Sequence, residues 1–140
     1  MRIGVNSRLD TIQAAILIEK LKIFSDELEL RNQVATIYSE GLSAHYATPQ
    51  IGKGLTSAWA QYTLIVDDRP SVQARLKEAG IPSVIYYPKS LTQQSGYQDF
   101  PIVSSGVPVS DDLPSKVLSL PMHPYLSKDS QAEIIRVLGG

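Results

Sequence analysis

Ala60-Gln61-Tyr62-Thr63-Leu64-Ile65-Val66, followed at once by Asp67-Asp68-Arg69-Pro70, is the stretch on which the fold turns. The first seven positions are rich in β-branched and aromatic residues, which predicts a strand. Asp68 is placed to cap a helix, and Pro70 suits a first turn, where its missing N–H would have had no partner. Val72, Leu76 and Ala79 then recur on one helical face until Gly80 ends it. Ile81-Pro82-Ser83-Val84-Ile85-Tyr86-Tyr87 reads as a second strand, so the order is strand, helix, strand.

Upstream, Leu9 to about Ala44 contains no Pro and a single Gly, Gly41. Apolar residues recur at helical spacing through Leu9, Ile12 and Ile16, then Leu17, Leu21, Phe24 and Leu28, and again through Val34, Ile37, Tyr38 and Leu42. Unbroken, such a helix runs about 54 Å, longer than a compact domain of this size is wide. Ser7 is the expected cap, with Asp10 three residues on in a capping-box arrangement. Ile12 to Ile18 is apolar on nearly every side and must be covered on every side. Two readings are open: residues 12 to 24 pack against a partner domain or subunit, or they form the central helix of a self-sufficient domain.

Downstream, a Gly- and Pro-bearing loop runs from Pro49 to Ser57, and Thr92 to Gly106 is polar with room for short helical turns. Val107 to Ser115 holds a further helical turn, and Val117-Leu118-Ser119-Leu120 is a third strand ended by Pro121. Lys128 to Leu138 forms a last amphipathic helix, capped by Ser127 and stopped by Gly139-Gly140. The expected fold is one α/β (α+β-like) domain over residues 1–140, with a long N-terminal helix, a small sheet of about three strands and helices packed on it.

The whole chain has 140 residues, with 13 Lys and Arg against 14 Asp and Glu, a net charge of −1 that gives no electrostatic drive toward nucleic acid. No cysteine is present, so there is no disulfide framework, thiolate metal site or cysteine nucleophile, and a reducing cytoplasm is the expected setting. The longest apolar run, Ala14 to Ile18, is far short of the ~20 residues of a membrane span. Polar residues come too early for a signal peptide. His45 and His123 lack metal-ligand spacing, so no metal is expected. No GxSxG elbow occurs, and Gly52-Lys53-Gly54 lacks the spacing of a phosphate loop.

Two constellations carry chemistry. In Gly4-Val5-Asn6-Ser7-Arg8-Leu9-Asp10, an extended chain turns Asn6 and Arg8 to one face, beside a helix N-terminus whose free N–H groups attract anions. An amide, a guanidinium fork and a helix dipole together suit a phosphate or a carboxylate. The plainer reading of the same residues is a helix cap beside a solvated arginine. In Tyr86-Tyr87-Pro88 a strand ends in two phenols held by a proline, a position suited to ligand contact or, equally, to the edge of a core.

The run Gly4-Val5-Asn6-Ser7-Arg8-Leu9-Asp10-Thr11-Ile12-Gln13-Ala14-Ala15-Ile16-Leu17, with Lys20-Leu21 and Arg31, resembles the start of the C-terminal part of the DegT-type sugar aminotransferases. Three more segments agree in the same order: Ala60-Gln61-Tyr62-Thr63, then Gly80-Ile81-Pro82 leading to Tyr86-Tyr87-Pro88, then Leu118-Ser119-Leu120-Pro121-Met122-His123-Pro124-Tyr125-Leu126. The family comprises fold-type I enzymes that use pyridoxal phosphate, and the likeness is greatest to members that aminate a UDP-linked 2-acetamido-3-oxo-glucuronate for bacterial surface polysaccharides such as O-antigen.

The resemblance implies that Asn6 reaches across a homodimer interface to the cofactor phosphate. It also implies that Arg8 contacts substrate or cofactor anions, and that Tyr86 and Tyr87 lie near the sugar nucleotide. Family members often carry His where this chain has Tyr86. The Schiff-base lysine, the carboxylate for the pyridinium nitrogen and the stacking ring belong to the family's large N-terminal domain, and no motif here matches them. The chain is therefore expected to be a C-terminal fragment, with Met1 an added start or a truncated frame, with no catalytic residue of its own and no retained cofactor. The alternative is a non-catalytic module that dimerises through its apolar helix.

Overall fold

A computed structural model describes residues 7–139. The elements run α1 (Thr11–Lys22), α2 (Phe24–Leu42), β1 (Tyr62–Ile65), α3 (Arg69–Glu78), α4 (Pro108–Lys116), β2 (Val117–Leu120) and α5 (Lys128–Gly139). The sheet is a two-stranded antiparallel ribbon in which Tyr62 faces Leu120 and Leu64 faces Leu118. Tyr62, Leu64, Leu118 and Leu120 turn to the core, where they meet Tyr38 and Leu42 of α2, Val72 and Leu76 of α3, and Ile134 and Leu138 of α5. On the opposite face the Thr63 and Ser119 hydroxyls bond each other at 2.8 Å.

Three expectations are corrected. The long helix is two helices: at Ile23 the backbone leaves helical geometry, with φ −107° and ψ 5°. No Gly or Pro marks the break, but charge does. Lys20 and Lys22 fall in the last turn of α1, and Asp26 and Glu27 in the first turn of α2, each at the helix end its charge favours. The cap of α1 is Asp10 rather than Ser7: its carboxylate accepts the Gln13 N–H at 2.8 Å, so the helix starts two residues later than expected. The strand expected at residues 81–87 shrinks to one bridge, Val84 to Ser119, on the edge of β2 away from β1. Pro82 and Pro88 flank it and cannot donate to a ladder, so the pairing does not extend.

The other expected caps form. Asp68 accepts the Ser71 N–H at 3.1 Å, Gly80 takes a left-handed φ of 71° after α3, and Ser127 accepts the Ser130 N–H at 3.1 Å before α5. The turn expected near Val107 is a nine-residue helix, α4. Where α2 crosses α5, a Cβ on Gly41 would lie 2.8 Å from the Ile135 Cγ2, so any other residue here would force the Ile135 side chain to shift. α1 stands apart from the core, for none of its residues is buried.

Candidate functional site

Tyr86 and Tyr87 leave the sheet just after Val84 exchanges two backbone bonds with Ser119, at 2.8 and 3.1 Å. Their rings lie 5.5 Å apart, and both are exposed, at 40% and 65%. Neither ring is therefore buried in the core of the described residues. Tyr86 lies between two clefts. One, of about 210 Å³, is walled by Ala60, Gln61, Val84, Ser119, Pro121 and Met122. The other, of about 600 Å³, is lined by both tyrosines with Lys89, Leu113, Pro114 and Val117. The loop beyond the tyrosines is tied to α4, because the Ser90 and Thr92 hydroxyls donate to the Asp111 Oδ1 at 2.8 and 2.5 Å. Those bonds, Thr92 first and then Ser90, hold the Asp111 carboxyl below the usual carboxylate range.

The wall at Ala60 and Gln61 is positioned by residues that sequence reasoning passed over. Trp59 has a positive φ of 47°, unusual for a bulky residue. It is held by its Nε1–H, which donates to the Asn32 Oδ1 at 2.7 Å, and by the Arg31 guanidinium, which donates to its carbonyl at 2.9 Å. Its ring packs 5.9 Å from that of Tyr62, which in turn lies 5.0 Å from Tyr38. The signal was available in the chain's single tryptophan, placed immediately before the first strand.

Arg8 is exposed just ahead of α1 and has no hydrogen-bond or ion-pair partner among the described residues. It lines neither cleft, so the structure does not bring it to the tyrosines. Asn6 lies outside the described residues. A second cluster was not anticipated. Glu27 is the one charged side chain buried among the described residues, and it accepts from the Lys20 Nζ and, at 2.7 Å, from the Tyr125 hydroxyl. These bonds, Lys20 first, hold its carboxyl below the usual range, and they push the Tyr125 phenol up.

Pyridoxal phosphate needs a lysine amine for its aldehyde, a carboxylate for its pyridinium nitrogen and a ring to stack on. The lysines here do not fit. Lys20, Lys22 and Lys116 are paired with Glu27, Glu19 and Asp112, and Lys53, Lys77, Lys89 and Lys128 are exposed. Lys89 does line the larger cleft, but no carboxylate lines it with Lys89. His123 serves its own turn, its Nδ1 accepting the Tyr125 N–H at 3.2 Å. No group of three or more metal-ligating side chains occurs among the described residues, and no helix among them is long and apolar enough to cross a membrane.

This small α/β domain, five helices and a two-stranded sheet among the described residues, has the fold of solved aminotransferases. The chain belongs to the DegT/DnrJ/EryC1/StrS aminotransferase family, whose profile matches residues 1–139. It is 47% identical over 131 residues to the UDP-2-acetamido-2-deoxy-3-oxo-D-glucuronate aminotransferase of Pseudomonas aeruginosa, which covers 93% of this chain and 36% of that protein. A crystal structure of a DegT DnrJ EryC1 StrS aminotransferase from Brucella abortus superposes with a TM-score of 0.91 at 51% identity, over 100% of this chain and 38% of that one. S. venezuelae DesV, solved in complex with a ketimine intermediate, gives a TM-score of 0.85 at 26% identity, over 96% of this chain and 37% of that one. The chain thus spans little more than a third of the length of the relatives it matches.

Proposed function

We propose that this chain is the C-terminal small domain of a pyridoxal-phosphate-dependent aminotransferase that converts a UDP-linked keto sugar to an amino sugar for a bacterial surface polysaccharide. The observation that supports this most is the 47% identity, across 93% of the chain, to a relative named for that substrate class. The cofactor, when bound, supplies the electron sink for moving an amino group. Its lysine, carboxylate and ring would come from a separate N-terminal domain, because the lysines here are paired or exposed.

Within such an enzyme this chain's own residues bind and orient. Asn6 would donate to the cofactor phosphate across a homodimer, and Arg8 would pair with an anionic group of substrate or cofactor. Tyr86 and Tyr87 would flank the sugar nucleotide, with the Tyr86 phenol standing where relatives often carry histidine. Exposed Ile12, Ile16 and Leu21 on α1 favour a partner surface, and they equally suit a second reading in which the chain is a non-catalytic dimerisation module.

The test is to add pyridoxal phosphate to the chain, dialyse, record absorbance between roughly 320 and 430 nm, and reduce with borohydride to trap a lysine imine. We expect no retained chromophore. A stoichiometric adduct at a single lysine would overturn the proposal that the catalytic lysine lies in another domain. The coding sequence upstream of Met1 separates the two readings: a lysine-bearing cofactor domain in frame supports the first, and an in-frame stop codon the second.

A further inference from the structure

α1 has no buried residue, so core packing does not set the direction in which it leaves the domain. Its link to α2 passes through Ile23, where the helical geometry lapses. One side-chain cluster spans that joint. Lys20, in the last turn of α1, bonds Glu27, in the first turn of α2, seven residues on and so two turns along the same face.

The same carboxylate takes the hydroxyl of Tyr125 at 2.7 Å, from the loop between β2 and α5. That loop is pinned to α2 a second time by the Tyr38 hydroxyl, which donates to the Pro121 carbonyl at 3.0 Å. Pro121 and Met122 of this loop wall the smaller cleft beside Tyr86. The groups that act electrostatically on Glu27 are Lys20, Tyr125 and, one turn further along α2, Arg31. A buried apolar side chain at position 27 would pack, but it could not hold donors from two other elements at once.

We propose that Glu27 is a positioning residue: holding Lys20 on one side and Tyr125 on the other, it locks the joint at Ile23. It thereby sets the direction in which α1 carries Arg8 relative to the tyrosine clefts. What Arg8 then contacts rests on the function proposed above; the lock does not, and a distance rather than an activity reads it.

The chain has no cysteine, so spin labels go only where they are introduced, at Gln13→Cys on α1 and Glu78→Cys on α3. Ile12, Ile16 and Leu21 are changed to Gln in every variant so that a second copy cannot hold α1, and diluting labelled chain into unlabelled chain leaves only distances within one molecule. With Glu27, Lys20 and Tyr125 intact we expect a single narrow distance by pulsed electron resonance. Lys20→Met and Tyr125→Phe should each lose it to a broad distribution while circular dichroism and melting stay close to those of the parent. Lys20→Arg should restore it, since a guanidinium donates to the same carboxylate. Glu27→Ala should broaden it too; if that variant does not fold, the two variants at exposed positions carry the test. A distance that stays narrow in both Lys20→Met and Tyr125→Phe overturns the lock and leaves the aminotransferase reading untouched.

Discussion

Tyr38 is fully buried, and its hydroxyl is satisfied by the Pro121 carbonyl. Burial, and secondarily the nearby Tyr62 phenol, push its pKa above the usual tyrosine value. The folded state therefore favours the neutral phenol. This contribution to stability is complete below the unfolded value of about 10 and is lost as pH rises beyond it. We expect the melting temperature to fall steeply above about pH 10, and Tyr38→Phe to flatten that fall while costing about 0.5–1.5 kcal/mol at neutral pH for the lost hydrogen bond. Calorimetry across pH 7 to about 11 checks both; an unchanged alkaline slope in Tyr38→Phe contradicts the assignment. At this scale, the residues legible in the sequence were those whose chemistry is local: Asp68 and Ser127 bond an N–H three residues on, a distance that spacing alone can read. Glu27 and Trp59 were not legible, because their partners Tyr125 and Asn32 lie 98 and 27 residues away.

Among elements, the contact of α2 with α5 is the tightest test of packing. Gly41→Ala sets a methyl against the Ile135 side chain at 2.8 Å, and overpacking of this kind costs about 1–3 kcal/mol. By denaturant unfolding, Gly41→Ala should fall short of the ~1 kcal/mol that alanine otherwise gains over glycine inside a helix, and Ile135→Val in the same chain should recover part of the shortfall; a Gly41→Ala stabilised by that full amount contradicts the packing described. Length and periodicity disclosed the helical stretch from residue 11 to 42 because no Gly or Pro interrupts it before Gly41. They did not disclose the break at Ile23, where the only sign is a change from basic to acidic residues. The lost strand at 81–87 was written in the sequence, in the prolines at 82 and 88, whose missing donors outweigh the β-branched residues between them.

On the scale of the whole molecule, the apolar surface of α1 decides behaviour in solution. Ile12, Ile16, Ile18 and Leu21 are each more than half exposed and lie on opposite sides of α1, so the helix offers apolar surface nearly all round, which soluble monomers seldom carry. We expect the chain to self-associate at micromolar concentration by light scattering. Converting Ile12, Ile16 and Leu21 together to Gln should return a monomer with an unchanged circular dichroism spectrum, since none of the three is buried in the core. A parent that is strictly monomeric would contradict this. Of the candidate site, the sequence marked the tyrosine pair but left open whether it faced a ligand or a core edge, and only the exposure of both rings distinguishes these. The clefts beside it were not, since their walls come from Ala60, Ser119 and Leu113, far apart in the chain.

Trp59 is the chain's single indole, 9% exposed, hydrogen-bonded to α2 and stacked toward Tyr62 of β1. The molecule thus carries its own optical probe at the seam between its longest helix and its sheet. Ultraviolet emission from this one ring, unlabelled and free of competing tryptophans, reports whether that seam is closed.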